Sequence, residues 1–336
     1  MTASTAAPRP ATRHRVAGLV VAITLGVALA TQARINGELA GRIGDGVAAA
    51  LLSFVTGELI LLVLVLVMPR MRRGVVRVVH AVRDGELRPW QVLGGMCGAF
   101  LVITQGLTVG TIGVAVFTVA VVAGQATSSL VVDRAGLGPG AAHPVTGTRI
   151  LGALLAIGAV TLAVSDRLGT PSVIGVAVLP VLAGFGVAWQ QAVNGRVSAA
   201  AGEPGSLPAR GAGGELVGRA LAAALVNFTV GTALLLMLAG VIVTVRGLPG
   251  PLPAEPLLYL GGSFGVLFIA AAAVIVSLTG VLLLGLGTVA GQLVGALLLD
   301  WFLPAVEGQV SAVTVTGTVL TLIAMAVAAL PTRYRR

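Results

Sequence analysis

Thr111–Asp133 reads TIGVAVFTVAVVAGQATSSLVVD, and Leu278–Asp300 reads LTGVLLLGLGTVAGQLVGALLLD. The two stretches align without a gap. Gly113, Val114, Val122, Ala123, Gly124, Gln125, Leu130 and Asp133 fall on Gly280, Val281, Val289, Ala290, Gly291, Gln292, Leu297 and Asp300. Each stretch is apolar and has the roughly 20 residues that a membrane-crossing helix needs. The same Gly-Gln pair inside two such segments predicts a duplicated membrane domain.

The duplication extends in both directions. Gln32-Ala33-Arg34-Ile35-Asn36-Gly37 matches Gln190-Gln191-Ala192-Val193-Asn194-Gly195, and Ala48–Gly57 matches Ala222–Gly231. Gly94-Gly95 with Gly98 matches Gly261-Gly262 with Gly265, and Val145–Thr148 matches Val315–Thr318. The blocks keep their order, which chance explains poorly. Ten spans emerge: 16–36, 47–67, 90–109, 112–132, 146–164, 173–193, 219–243, 257–277, 279–299 and 312–330. The expected fold is all-α and integral to the membrane, since helices satisfy their backbone hydrogen bonds internally in lipid. Five spans per copy is odd, so the copies enter the bilayer from opposite sides. The expected architecture is ten transmembrane helices in two inverted five-helix repeats. Its parts are a tail 1–15, a first repeat 16–164, a connecting loop 165–171, a second repeat 172–330 and a tail 331–336. The Gly/Pro-rich stretch Ala201–Gly218 reads as a flexible linker.

Composition agrees. Of 336 residues, 57% are hydrophobic and 10% charged, against roughly 25% charged in a soluble domain. The formal net charge of +9 comes from arginines between apolar runs, where the positive-inside rule explains them better than nucleic acid does. With the N-terminus inside, fifteen arginines lie on inner segments, against Arg34, Arg42, Arg167 and Arg246 outside. Both termini are therefore expected in the cytoplasm. The first apolar run resembles a signal peptide with an A-x-A site at Ala28–Ala30, but its end recurs in the second half, so it reads as a span. One cysteine, Cys97, excludes an intrachain disulfide, and three histidines in the tail and loops offer no buried metal centre. Neither metal nor cofactor is expected.

Several polar residues stand out inside the spans. Glu58 is near the middle of the second, where an ionisable group costs about 2.5–3.5 kcal/mol on insertion scales and should face a cavity or partner. It reads either as a protonatable coupling or substrate-binding carboxylate, or as a structural hydrogen-bonding group; Thr232 stands at the matched position. Thr118, Gln125, Ser129 and Asp133 share one helix face. In the copy that face holds Gly285, Gln292, Ala296 and Asp300. Gln125 and Gln292 are candidates for cavity lining, with Thr118, Ser129 and Thr104 beside them; interhelical hydrogen bonding is the plainer alternative. Asp133 and Asp300 read as interfacial caps. Gln32 with Asn36, and Gln190 with Asn194, close the first and sixth spans at Asn-Gly steps that favour a turn or break. On opposite faces they read as two gates or as two ordinary helix stops. Arg34 is placed to pair with Glu38. Trp90, Trp189 and Trp301 fall at expected helix ends, as interfacial anchors do.

The two five-span copies, each with Gln-x-x-x-Asn-Gly closing its first span, resemble the drug/metabolite transporter (DMT) superfamily of EamA-like fold. Gln32, Asn36 and Gly37, Ser53-Phe54 with Gly57, Gln190–Gly195, and Asn227-Phe228 with Gly231 carry a resemblance to its YdcZ-like branch. The resemblance implies a central substrate cavity between the halves, with contributions from the fourth and ninth spans, near Gln125 and Gln292. It implies a bacterial cytoplasmic membrane location and alternating-access transport, as an exporter of a small metabolite or a cationic or amphipathic compound, with proton coupling as an option. A Walker-type phosphate loop requires Lys, and the chain has none, so ATP is not its fuel. The alternatives are a non-transporting scaffold or partner subunit and, with no His in a span, less readily an intramembrane enzyme. The expected partners are the lipid bilayer, a small-molecule substrate and, as an option, a second copy in a homodimer; nucleic acid is not expected.

Overall fold

The computed structural model describes residues 12–139, 145–165, 171–203, 213–279, 281–304 and 310–329. They form ten α-helices and no strand among the described residues: α1 Thr12–Ile43, α2 Gly46–Val67, α3 Pro69–Arg83, α4 Gly94–Arg134, α5 Gly147–Val164, α6 Pro171–Ala200, α7 Gly213–Arg246, α8 Gly261–Thr279, α9 Val281–Phe302 and α10 Ala312–Ala328. Six described helical stretches are long and apolar enough to cross a membrane, and three shorter ones are also apolar.

The third and fourth expected spans are joined in α4, which contains one non-helical residue, Gly113 (φ 80°, ψ 166°). The chain folds back there. A methyl at Gly184 would lie 2.1 Å from the Val121 carbonyl oxygen, and one at Gly186 would lie 3.1 Å from Cys97. Those two glycines are within a turn of each other on α6. Cys97 and Val121 would be about 36 Å apart on one straight helix, so α4 is a hairpin of two antiparallel arms. Its second arm is the most enclosed part of the bundle, with Ile112–Gly124 buried throughout. Asp300, at the end of α9, caps that arm: its carboxylate accepts the Val114 N–H at 3.0 Å and the Ala115 N–H at 2.7 Å. The expected interfacial cap is thus a cap on a neighbouring helix.

Close crossings recur in matched pairs. Gly124 meets the Val181 carbonyl of α6, and Gly291 meets the Ile23 carbonyl of α1. Gly95 lies against the backbone of Asn227 and Gly231, and Gly262 against that of Ser53 and Gly57. Each would bring an added Cβ to about 2 Å from a carbonyl oxygen, so glycine lets the backbones touch. On the axis between α2 and α7, Phe54 sits over Gly231 and Phe228 over Gly57, and the two rings meet at 5.0 Å.

Three features depart from the sequence reading. First, α1 and α6 run without a break through Asn36-Gly37 and Asn194-Gly195 to Ile43 and Ala200. Tertiary contacts (Gly37 on Val109 of α4, Gly195 on Pro139) hold these steps helical against their turn preference. Trp189 is consequently inside α6, stacked on Trp90 with ring centres 6.4 Å apart, rather than at a helix end. Second, Pro69–Arg83 is an amphipathic helix rather than a loop. Met71, Gly74, Val78 and Ala81 form its buried stripe, and His80 rides on its exposed side. Third, the final six residues of the expected linker, 213–218, start α7; 204–212 lies outside the described residues. Arg34 does pair with Glu38, at 3.5 Å. Arg42 bridges Glu38 and Glu255, tying the end of α1 to the segment after α7. A backbone hydrogen bond and then the Arg42 guanidinium hold the Glu255 carboxyl below its usual range.

Candidate functional site

Two polar clusters lie on either side of the Phe54–Phe228 pair. In the second half, Gln190 and Asn194 sit one turn apart on α6 and both donate to the Oδ1 of Asn227 on α7, at 3.0 and 3.1 Å. Gly94 and Gly98 of α4 close over them, since a Cβ at Gly94 would meet Asn194 and one at Gly98 would meet Gln190. Phe54 is the next neighbour beyond Gly98, at 3.4 Å from the same point.

The first half repeats the scaffold with different chemistry. Gln32 and Asn36 sit one turn apart on α1, under Gly261 and Gly265 of α8. Ser53 takes the place of Asn227 and presents a hydroxyl too short to gather both amides. Asn36 instead donates to the Oε1 of Gln105 on the first arm of α4, at 2.6 Å. The matched position in the second half is Ala272. The result is a cluster with spare acceptors: Gln32 Oε1 and Asn36 Oδ1 are buried without a hydrogen-bond partner. Buried polar atoms are nearly always paired, and leaving one unpaired costs about 1–3 kcal/mol. Two such atoms on one helix turn mark a place that a donor-bearing ligand would satisfy.

The other candidate residues are more dispersed. Gln125, half-buried on the second arm of α4, donates to Gln191 of α6 at 3.1 Å. Gln292, half-buried on α9, has no hydrogen-bond partner among the described residues, and its backbone lies against Gly26 of α1. No hydrogen bond joins Gln125 to Gln292 among the described residues; each is held against the first helix of the opposite half. Glu58 is half-buried and accepts from Thr229 of α7 at 2.9 Å. Its matched residue Thr232 is buried, with its hydroxyl unpartnered. Thr118 is fully buried, also with an unpartnered hydroxyl. Thr104 and Ser129 bond to carbonyls of their own helix, the ordinary habit of helical hydroxyls. Asp133 pairs with Arg149 at the start of α5. No group of three or more His, Cys, Asp or Glu is placed to hold a metal among the described residues.

In the sequence Ser53-Phe54 and Asn227-Phe228 carry only the family resemblance, and Gln105 reads only as a neighbour of the Thr104 face; none is assigned to the two clusters. Their signal was in hand: Ser53-Phe54-x-x-Gly57 and Asn227-Phe228-x-x-Gly231 recur at matched positions. Gln105 has no repeated partner, so only the fold brings it to Asn36.

The family described as "Putative inner membrane exporter, YdcZ" matches residues 17–162 and 208–327. The chain belongs to this branch of the drug/metabolite transporter superfamily and is a multi-pass membrane transporter of the inner membrane. No curated protein and no solved structure matches the chain.

Proposed function

We propose that the chain exports its substrate by alternating access between two inverted five-helix repeats, 16–164 and 172–330, joined by 165–171. The matched crossings support this reading. α1 meets α9 as α6 meets the second arm of α4, and α2 meets α8 as α7 meets the first arm. Such a pattern is what a pseudo-two-fold axis through Phe54–Phe228 produces. The arginine bias favours both tails, 1–15 and 331–336, in the cytoplasm.

The observation that carries the functional reading is the pair of amide clusters flanking the aromatic pair. Gln32–Asn36 and Gln190–Asn194 would serve as the two sides of one pathway, opened in turn as the halves rock. Phe54 and Phe228 would form the apolar barrier between them. Gln125 and Gln292 would line the flanks of the path, and Glu58 would supply its one carboxylate near the axis. Amides and one acid, set against aromatic rings, suit a small amphipathic or cationic compound bearing hydrogen-bond donors. Glu58 is also the residue best placed to couple transport to protons.

Transport by purified protein in proteoliposomes, screened over metabolites and cationic amphiphiles with and without a pH gradient, tests this. Movement of at least one compound is expected, abolished by Asn227→Leu together with Asn36→Leu. If no compound moves and none raises the thermal stability of the purified protein, the transport reading is wrong and a scaffold role takes its place.

A further inference from the structure

The amphipathic helix α3 has no helical counterpart after α7, where residues 247–255 are irregular. Alternation between two like halves therefore does not account for it. Its buried stripe packs on the other half: Gly74 lies against Ala201 and Ala222, and the backbone of Arg70 and Met71 lies against Gly218. Between α3, the end of α6 and the start of α7 is an open recess, whose empty space is about 400 Å³ with the adjoining open solvent included. Its lining is almost wholly charged: Arg70, Arg73, Arg77 and Arg219 against Glu203 and Glu215.

Four guanidiniums face two carboxylates, and the pairing among them is incomplete. Arg77 is satisfied by the Ala201 carbonyl and by Glu203, at 3.1 and 2.9 Å. Arg219 spends its Nε on the Ser198 carbonyl at 3.2 Å, while its Nη1, and Oε1 of Glu215 in the same recess, are buried without a partner. Arg70 and Arg73 have no ion-pair partner among the described residues. A buried guanidinium N–H that finds no acceptor is costly, and arginine's fork of donors matches the oxygens of a phosphate. We infer that this recess binds a phosphate-bearing anion through Arg70, Arg73 and Arg219.

The position of α3 indicates where such a phosphate would come from. Helix α2 ends at Val67, and α3 follows after one residue. Beside its arginines α3 exposes Val76 and Val79, the mixture that lies along a bilayer surface at headgroup depth. The phosphate is that of an anionic lipid headgroup reached from the bilayer, or of a soluble phosphate compound reached from the aqueous side. Basic pockets between spanning helices are suited to the former.

Full-length protein in neutral detergent is titrated with three probes: short-chain dihexanoyl-phosphatidylglycerol, its phosphatidylcholine counterpart, and inorganic pyrophosphate. Thermal unfolding reports binding, because a ligand of the folded state raises the midpoint with concentration. Stabilisation by phosphatidylglycerol but not by phosphatidylcholine or pyrophosphate supports the site with a lipid source. Stabilisation by pyrophosphate supports it with a soluble source. In either case Arg70→Gln/Arg73→Gln, which removes two exposed side chains without an ion-pair partner among the described residues, weakens the apparent affinity at least tenfold. Should the double variant unfold, Arg73→Gln alone carries the comparison. The inference is overturned if neither anionic probe stabilises the wild type, or if the variant responds as the wild type does.

Discussion

Gly113→Ala tests the reversal on which the bundle depends. Gly113 adopts φ 80° and ψ 166°, a region occupied almost only by glycine, where another residue costs about 1–3 kcal/mol. The new Cβ would also fall 2.8 Å from Oδ2 of Asp300. To relieve that contact the carboxylate must leave the Val114 and Ala115 N–H groups, which it holds at 3.0 and 2.7 Å. Both donors are buried, and stranding them adds about 1–3 kcal/mol each, about 2–6 kcal/mol together. With the backbone strain, the expected destabilisation is about 3–9 kcal/mol. Alanine also favours the continuous helix that competes with the hairpin. That helix, 41 residues long, would extend about 60 Å, twice the thickness of the hydrocarbon core.

The assay is equilibrium unfolding of the purified protein in mixed micelles, as a cycle with Asp300→Ala. In the Asp300→Ala background the contact and the cap are already gone, so Gly113→Ala should cost only its backbone strain. The coupling energy between the two sites is the cost of the two stranded N–H groups, about 2–6 kcal/mol. A Gly113→Ala cost below about 1 kcal/mol would show that the turn tolerates a side chain. An equal cost in both backgrounds would show that the carboxylate is not in contact with the turn.

Gly124→Leu forces a side chain into the Val181 carbonyl at a 2.0 Å approach; loss of the folded, monodisperse protein on gel filtration is expected, whereas Gly138→Leu, which meets nothing within 4 Å, should elute as wild type. Gln105→Leu strands the Asn36 amide and should lower stability by about 1–3 kcal/mol, while Ala272→Leu at the matched place should not strand a polar group; equal stability of wild type and Gln105→Leu would mean that the 2.6 Å bond is absent in the membrane. Phe54→Ala should raise the passive leak of substrate through proteoliposomes while lowering stability by about 3–5 kcal/mol; an unchanged leak in folded variant protein would remove the barrier role. Glu58→Gln keeps an acceptor for Thr229 but cannot titrate, so transport driven by a pH gradient should fall to its gradient-free level; an unaltered response would rule out Glu58 as the coupling group.

The helices and their close crossings were legible because apolar length and the spacing of small residues can be read without reference to three dimensions. Gly124 and Gly291 mark their helices in sequence, and both prove to be backbone crossings, on α6 and on α1. What was not legible has two physical causes. Hydropathy scans look for apolar length, so the Arg-rich α3 reads as a loop although its stripe of Met71, Gly74, Val78 and Ala81 has helical spacing. Local turn propensity also says nothing of neighbours. Asn36-Gly37 and Asn194-Gly195 read as helix stops, yet α1 and α6 continue to Ile43 and Ala200: Gly37 packs on Val109 and Gly195 on Pro139, contacts that local propensity does not record.

The halves differ where the repeat is chemically incomplete, and that difference bears on how a symmetric scaffold could have a preferred state. Exchange of the conformations of two identical halves would yield states of equal energy, and no ground state would be favoured by the protein alone. Here Asn227 Oδ1 accepts from both Gln190 and Asn194, and Gln105 Oε1 accepts from Asn36, while the acceptors Gln32 Oε1 and Asn36 Oδ1 stay buried without a partner. Two unpaired buried acceptors are worth about 2–6 kcal/mol against the state that buries them. No atom of Gln190, Asn194 or Asn227 is buried without a partner among the described residues, so in the proposed alternation closing the two sides would not cost the same. A bias of that size exceeds the 1.4 kcal/mol that changes a population ratio tenfold. A ligand that donates hydrogen bonds to Gln32 and Asn36 would reduce this penalty, and its differential affinity for the two states would shift their balance. The departures from the repeat, Ser53 for Asn and Gln105 for Ala, are therefore where directionality can be built into a duplicated fold.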